Sequence, residues 1–339
     1  MKLYSLLIAF LFVFVAFGQD TQRRIGEIEF YGRAGLDLNK IQAALPIHEG
    51  DAFTPSPDVI LNTVNRVNEA VRHVTGRAAT DVAPVCCDAQ GNWILYIGLP
   101  GNSIRSFRYN PTPRRALRLP PEVVELYQQT MDALSAAVQH RGGEEDRSRG
   151  YMLSSDPTLH PKQLATREYA VRHEHLLRRV LEQSRDDEQR IVAAHFLGYA
   201  RQSQEQIAAL MRASCDANET VRNNATRALG VLAESNPRVA ERIPATGFIE
   251  MLNSGLWTDR NKAGFVLEML SRRREQRLLN ELRSQAQDSL LEMARWRTGH
   301  AYSARVLLGR IAGIEESRLQ QLVASGRVDE IINAVHGKR

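Results

Sequence analysis

His173-Glu174-His175 sets two imidazoles and a carboxylate within three residues, the groups from which a zinc site or an acid–base pair is built. Residues two apart do not share a helix face, and the His-Glu-x-x-His spacing of a metalloprotease helix is absent. Exposed polar helix positions are therefore expected. His195 replaces what should be a small or apolar position in the first copy of a recurring phrase, which points to a partly buried, satisfied imidazole. His48 and His300 stand alone. The cysteines are Cys86, Cys87 and Cys215, an odd number that leaves at least one thiol unpaired within a monomer. Joining vicinal Cys86 and Cys87 would close a strained eight-membered ring, so that bond is not expected. On a strand the two side chains would point to opposite faces. Cys215, near an inter-helix turn, is the best-placed nucleophile for an enzymatic reading. The chain holds no Cys-x-x-Cys, no Gly-x-Ser-x-Gly elbow, no P-loop and no dinucleotide fingerprint. No catalytic residue, metal or cofactor is expected.

The residues most ordered by spacing are arginines. One phrase recurs as Arg190-x-x-Ala193-x-x-x-Leu197-Gly198, Arg222-x-x-Ala225-x-x-x-Leu229-Gly230, Arg260-x-x-Ala263-x-x-x-Leu267-Glu268 and Ala301-x-x-Ala304-x-x-x-Leu308-Gly309, with alanines 32, 38 and 41 residues apart. A small residue and a leucine four apart share a helix face that a neighbouring helix can approach closely. The intervening segments Glu168 to Gln183, Gln204 to Ala213, Gly247 to Leu252, Glu275 to Ala294 and Glu315 to Ala324 read as partner helices. Leu278, Leu282, Ala286 and Leu290 form an i, i+4 stripe that one helix cannot bury alone. Stacked helix pairs bury it, and Glu315 to His336 reads as a capping pair.

The second copy, Asp216-Ala217-Asn218-Glu219-Thr220-Val221-Arg222 through Gly230, resembles a HEAT repeat of the bacterial kind found beside phycobiliprotein lyases. The resemblance covers residues 165–314 and implies an α-solenoid in which an acid at each inter-helix turn and an arginine in the second helix form a ladder. Asp187 with Arg190, Glu219 with Arg222 and Asp259 with Arg260 match those parts; Ala301 should interrupt the series. The glycines of the phrase cost about 1 kcal/mol each against alanine in a helix, with close helix packing as the compensation.

Toward the N-terminus, Ile25 to Tyr31 alternates apolar and polar residues as a half-buried strand does. A short helix over Leu36 to Leu45, a second from Pro57 to Gly76, and strands at Asp81 to Cys87 and Trp93 to Gly98 follow. This βααββ order, with Phe30-Tyr31-Gly32 and Gly50-Asp51-x-Phe53, resembles a polypeptide-transport-associated (POTRA) module over residues 24–100. That likeness implies partner contact by edge-strand addition, here at the Trp93 to Gly98 strand. No barrel strands follow.

The expected fold class is thus a small α+β domain followed by an all-α helical repeat, mainly α overall. Residues 1–18 read as a signal peptide, with Lys2 before the apolar run Leu6 to Phe17. Residues 19–110 are the α+β domain. Residues 111–164 are a linker, opened by Asn110-Pro111-Thr112-Pro113, with one long helix from Pro120-Pro121 and a charged, mobile loop at Arg141 to Gly150. Residues 165–339 are the repeats and cap. The formal charge of +5 is spread rather than gathered in a stripe, which disfavours nucleic acid. These features make a periplasmic or secreted protein, with no span after signal removal, that binds a protein or peptide at the outer membrane or in the periplasm. Arg222, Arg227 and Arg260 on the second helices, and Trp93 on the strand edge, are the expected contact residues. A lyase-like or accessory enzyme and a purely structural spacer are the alternatives.

Overall fold

A computed structural model describes residues 23–139 and 144–337. The expected signal peptide lies outside them. Among the described residues no helix is long and apolar enough to cross a membrane. The chain is mainly helical, with a three-stranded sheet near its N-terminus.

The sheet is built from β1 (Ile25–Tyr31), β2 (Asp81–Cys86) and β3 (Trp93–Gly98), with α1 (Leu38–Ala44) and α2 (Pro57–Thr75) between the first two. Local chemistry sets these limits. Ser56 caps α2 by accepting the Val59 N–H, Pro57 suits the first turn, and Gly76 ends the helix at φ 78°. The strand order is β1-β3-β2. β3 runs parallel to β1, with Ile97 opposite Phe30, and antiparallel to β2, with Ile97 opposite Val82. The Trp93–Gly98 strand is therefore central, not an edge. A tight turn lays β3 against β2, and the crossover through two helices leaves its other side to β1. Its backbone groups are committed on both flanks.

Both faces of the sheet are covered. Phe30, Leu95 and Ile97 pack under α1 and α2 against Ile41, Leu45, Val67 and Val71. Tyr31, Ile94 and Tyr96 point the other way and belong to the core of the helical region. This is why β3 is buried almost continuously rather than alternately.

The helical region contains α3 (Pro121–Gln139), α4 (Leu159–Gln183), α5 (Asp187–Leu197), α6 (Gln204–Ala213) and α7 (Glu219–Ser235). It continues with α8 (Pro237–Ala240), α9 (Thr246–Met251), α10 (Trp257–Leu270), α11 (Gln276–Ala294), α12 (Tyr302–Ile311), α13 (Glu316–Ala324) and α14 (Val328–His336). The four phrases fall on α5, α7, α10 and α12, which lie side by side in that order. A Cβ on Gly230 would overlap the Phe265 ring, and one on Gly309 would overlap Leu319. Those glycines exchange helix propensity for close contact.

Three expectations are corrected. The chain leading into the expected linker, residues 105–115, is an extended strap laid along the inter-helix turns: the N–H groups of Arg105, Asn110 and Arg115 donate to the carbonyls of Asn253, Cys215 and Gln183 at 2.9, 2.7 and 3.1 Å. The prolines between these donors have no N–H to satisfy, so extended backbone suits them. Of the charged loop, residues 144–150 are part of a short hairpin in which β4 (Glu145–Asp146) pairs with β5 (Leu153–Ser154). Glu145 is held by Arg227, and Arg147 by Glu234 and the Phe265 ring. Finally, Cys86 and Cys87 are joined as a vicinal disulfide across a cis peptide bond, which brings their Cα atoms to 3.1 Å.

Candidate functional site

Arg190, Arg222 and Arg260 occupy equivalent places one turn into α5, α7 and α10, and all three are fully buried. Two of them, Arg222 and Arg260, were expected as exposed contact residues; burial removes them from any partner surface. The ladder they form is offset by one step from the expected pairing. Arg190 does reach Asp187 at 2.6 Å, but it also forks onto Asp216 at 2.9 and 3.0 Å. Arg222 forks onto Asp259 at 2.9 and 3.2 Å, and Glu219 instead accepts from Thr258 at 2.5 Å. Arg260 reaches Glu292 at 3.2 Å. Each arginine thus ties its repeat to the next, where a pairing within the repeat would hold only one turn. The planar guanidinium suits such bidentate, desolvated contacts. Aromatic rings close two rungs, Tyr109 lying 4.3 Å from Arg222 and Tyr31 4.9 Å from Arg260.

Glu292 is where the rungs end and the sheet begins. Besides Arg260 it accepts the N–H groups of Gly32 and Arg33 at 2.7 and 3.0 Å and the Ser103 hydroxyl at 2.7 Å. Four donors around one buried carboxylate lock the sheet to α11. At Ala301, which lacks the arginine, α12 is held at its far end by Arg310, which donates to the Glu268 carbonyl and to Glu316.

The same contact creates a groove along the outer side of β1. Its volume is about 450 Å³, its floor Ile28, Phe30, Leu38, Leu45, Ile47 and Trp296, and its rim Arg33, Arg295, Arg297 and Glu49. The outward backbone of β1 is largely occupied. Glu49 accepts the Ile28 N–H at 3.0 Å, Trp296 Nε1 donates to the Phe30 carbonyl at 3.1 Å, and Glu292 takes the Gly32 N–H. An added strand would have to displace these side chains. Arg297 bridges Glu29 and Glu49; burial pushes the Glu29 carboxyl up, and the Arg297 hydrogen bond holds Glu49 down. Arg33 has no side-chain partner among the described residues, and Arg295 only a 3.9 Å approach to Asp329. A partly apolar trough with guanidinium groups at its rim, one of them without a side-chain partner among the described residues, is the arrangement expected of a recognition site.

The remaining sequence candidates are dispersed. His173 stacks on Tyr169, while Glu174 accepts from Ser203, so the His-Glu-His run does not converge. Among the described residues no group of three His, Cys, Asp or Glu could hold a metal. His48 lies 3.8 Å from Asp51. His300, expected to stand alone, meets the Tyr96 hydroxyl at 2.8 Å, where burial lowers its imidazole to about 4. Burial pushes the half-buried Cys215 thiol up, away from nucleophilic thiolate. Arg227 is partly exposed but paired to Glu145 at 2.5 Å. Trp93 is half-buried and packs edge-on to Phe53, ring centroids 6.0 Å apart. Sequence reasoning missed Asp216 and Glu292 as ladder acids and the whole groove. Asp216 was visible at the head of the second phrase; the groove had no signal, because its walls meet through pairs such as Gly32 with Glu292, 260 residues apart in the chain.

No family model matches this chain, and no curated protein matches it. Among solved structures it is similar to an engineered protein at 15% identity over 64% of this chain and 94% of that one, with a TM-score of 0.38, too low to define a shared fold.

Proposed function

We propose that this chain is an exported, non-enzymatic interaction scaffold, a POTRA-like module locked onto a HEAT-type solenoid, working in the periplasm or outside the cell. The observation that carries the reading is the groove between β1 and α11. It combines an apolar floor with Arg33, which has no side-chain partner among the described residues, and the loosely paired Arg295 at its rim, so it favours a peptide segment bearing apolar and acidic side chains. The surfaces first expected to serve are engaged within the chain: α3 and the 144–155 hairpin pack over α5 and α7, and β3 is internal. Binding by side chains in the groove replaces edge-strand addition in this scheme.

A photo-crosslinking amino acid at groove-lining position Gln42 or Ile47, with one at exposed Leu164 as control, tests the reading in intact cells. The expected result is a discrete adduct from the groove positions alone. That adduct should be lost in Arg33→Glu/Arg295→Glu and kept in Leu164→Glu. Identical adducts from groove and control, or none from the groove, would sink the proposal.

A further inference from the structure

A second cavity lies beneath α3, away from the groove. It measures about 260 Å³ and is enclosed by α3, the β4–β5 hairpin, α4, α5 and α7. A smaller space of about 30 Å³ shares its His195 wall. Met131, Leu134, Met152 and Leu159 make most of it apolar. His195 of α5 and Tyr199, just past its end, bring polar groups to this lining.

His195 is the unusual one. Its Nε2 atom is buried and has no hydrogen-bond partner among the described residues, although Tyr127, Phe196 and Tyr199 surround the ring at centroid distances of 5.2 to 6.0 Å. The satisfied histidine expected from the sequence is not what the fold delivers. A buried polar atom without a partner costs roughly 1–3 kcal/mol, and such atoms are uncommon in folded chains. Burial, with the charge of Arg227 adding to it, lowers the imidazole to about 3. The ring is therefore neutral at physiological pH and can offer a lone pair. The one cation in the lining, Arg227, is already paired with Glu145 at 2.5 Å, so the cavity carries no charge left to balance. Thr130 spends its hydroxyl on the Leu126 carbonyl at 2.6 Å.

We infer that this cavity binds a small, neutral, mostly apolar molecule with a single hydroxyl group, the hydroxyl donating to the His195 imidazole in its wall and the apolar body lying between Met131, Leu134 and Met152. The volume is below the roughly 300–1,000 Å³ of sites for drug-sized ligands and suits one ring. Thioethers on two sides favour an aromatic one, since sulfur–ring contacts are attractive. An anion is disfavoured because its charge would be buried without a partner.

Phenol is the simplest probe, with toluene and benzoate as comparisons, read on the methionine methyl resonances of the full chain. Phenol should shift the Met131 and Met152 signals saturably. Toluene, lacking the donor, should bind about tenfold more weakly, as should phenol to His195→Leu, since a hydrogen bond to a buried group is worth about 1 kcal/mol or slightly more. Benzoate should bind more weakly still. Leu134→Trp, which fills the space from α3 and leaves His195 intact, should abolish the shifts and guards against a His195 variant that fails to fold. No saturable shift with phenol, equal affinity for benzoate, or phenol shifts that survive Leu134→Trp would each overturn the inference.

Discussion

The ladder edge and the cavity under α3 are both buried and polar, yet they are opposite in how their polar groups are used. At the ladder, Arg222 spends donors on Asp259 and the Asp216 carbonyl, Asp259 in turn accepts from Ser254, and Tyr109 covers the guanidinium face. At the cavity, His195 keeps a buried nitrogen with no partner in the protein. A saturated network holds repeats in register and has nothing to offer a ligand. An unsaturated one contributes less to stability and retains an interaction to give. Arg260 sits between the extremes, with one Nη unpartnered but a tyrosine ring against it.

Substitutions should separate the two regions by size of effect. Arg222→Met leaves Asp259 buried with an uncompensated charge, and removing one member of a buried pair typically costs 3–5 kcal/mol; urea unfolding should show that loss. Replacing Arg222 and Asp259 together by apolar residues should restore much of it. A loss under 1 kcal/mol for the single variant would mean that the rung carries no structural weight. Gly230→Ala, which drives a Cβ into the Phe265 ring, should cost about 1–3 kcal/mol, and Phe265→Leu should recover part of it in a double-mutant cycle.

The cavity side is sharpened by pH. The His195 imidazole falls from 6.5 in a free chain to about 3 in the fold, so between those values the unfolded chain binds the extra proton. Stability from this group is complete above pH 6.5 and is lost progressively as pH falls toward 3. His195→Leu should flatten that part of the stability–pH curve, and an unchanged slope would show that the imidazole titrates normally. Smallest of all, Arg33→Ser at the groove rim should change stability by no more than about 0.5 kcal/mol while reducing capture at the groove.

How far these features were legible differs element by element. The βααββ order and the helices carrying Arg190, Arg222 and Arg260 follow from apolar periodicity, Ser56-Pro57, Gly76 and the spaced phrases, all local signals. The central place of β3 did not follow, because hairpin and crossover readings are silent on which strand ends inside. The ladder was legible as a set of residue types and misread in its partners. Asp187 lies three residues before Arg190, within reach along one helix turn, whereas Asp216, Asp259 and Glu292 come 26, 37 and 32 residues after the arginines they meet.

By itself the sequence determined the βααββ order and the run of helices after it, which residues repeat, and that arginines and acids would accompany the repeats, because capping, proline and glycine geometry and side-chain periodicity act within a few residues. Tertiary structure alone decided that the strap crosses the inter-helix turns, that the sheet docks on Glu292 and Trp296 to leave a groove, and that His195 faces a cavity without a partner. Those outcomes depend on which apolar faces meet after the chain has closed loops of tens to hundreds of residues. No local propensity encodes that choice.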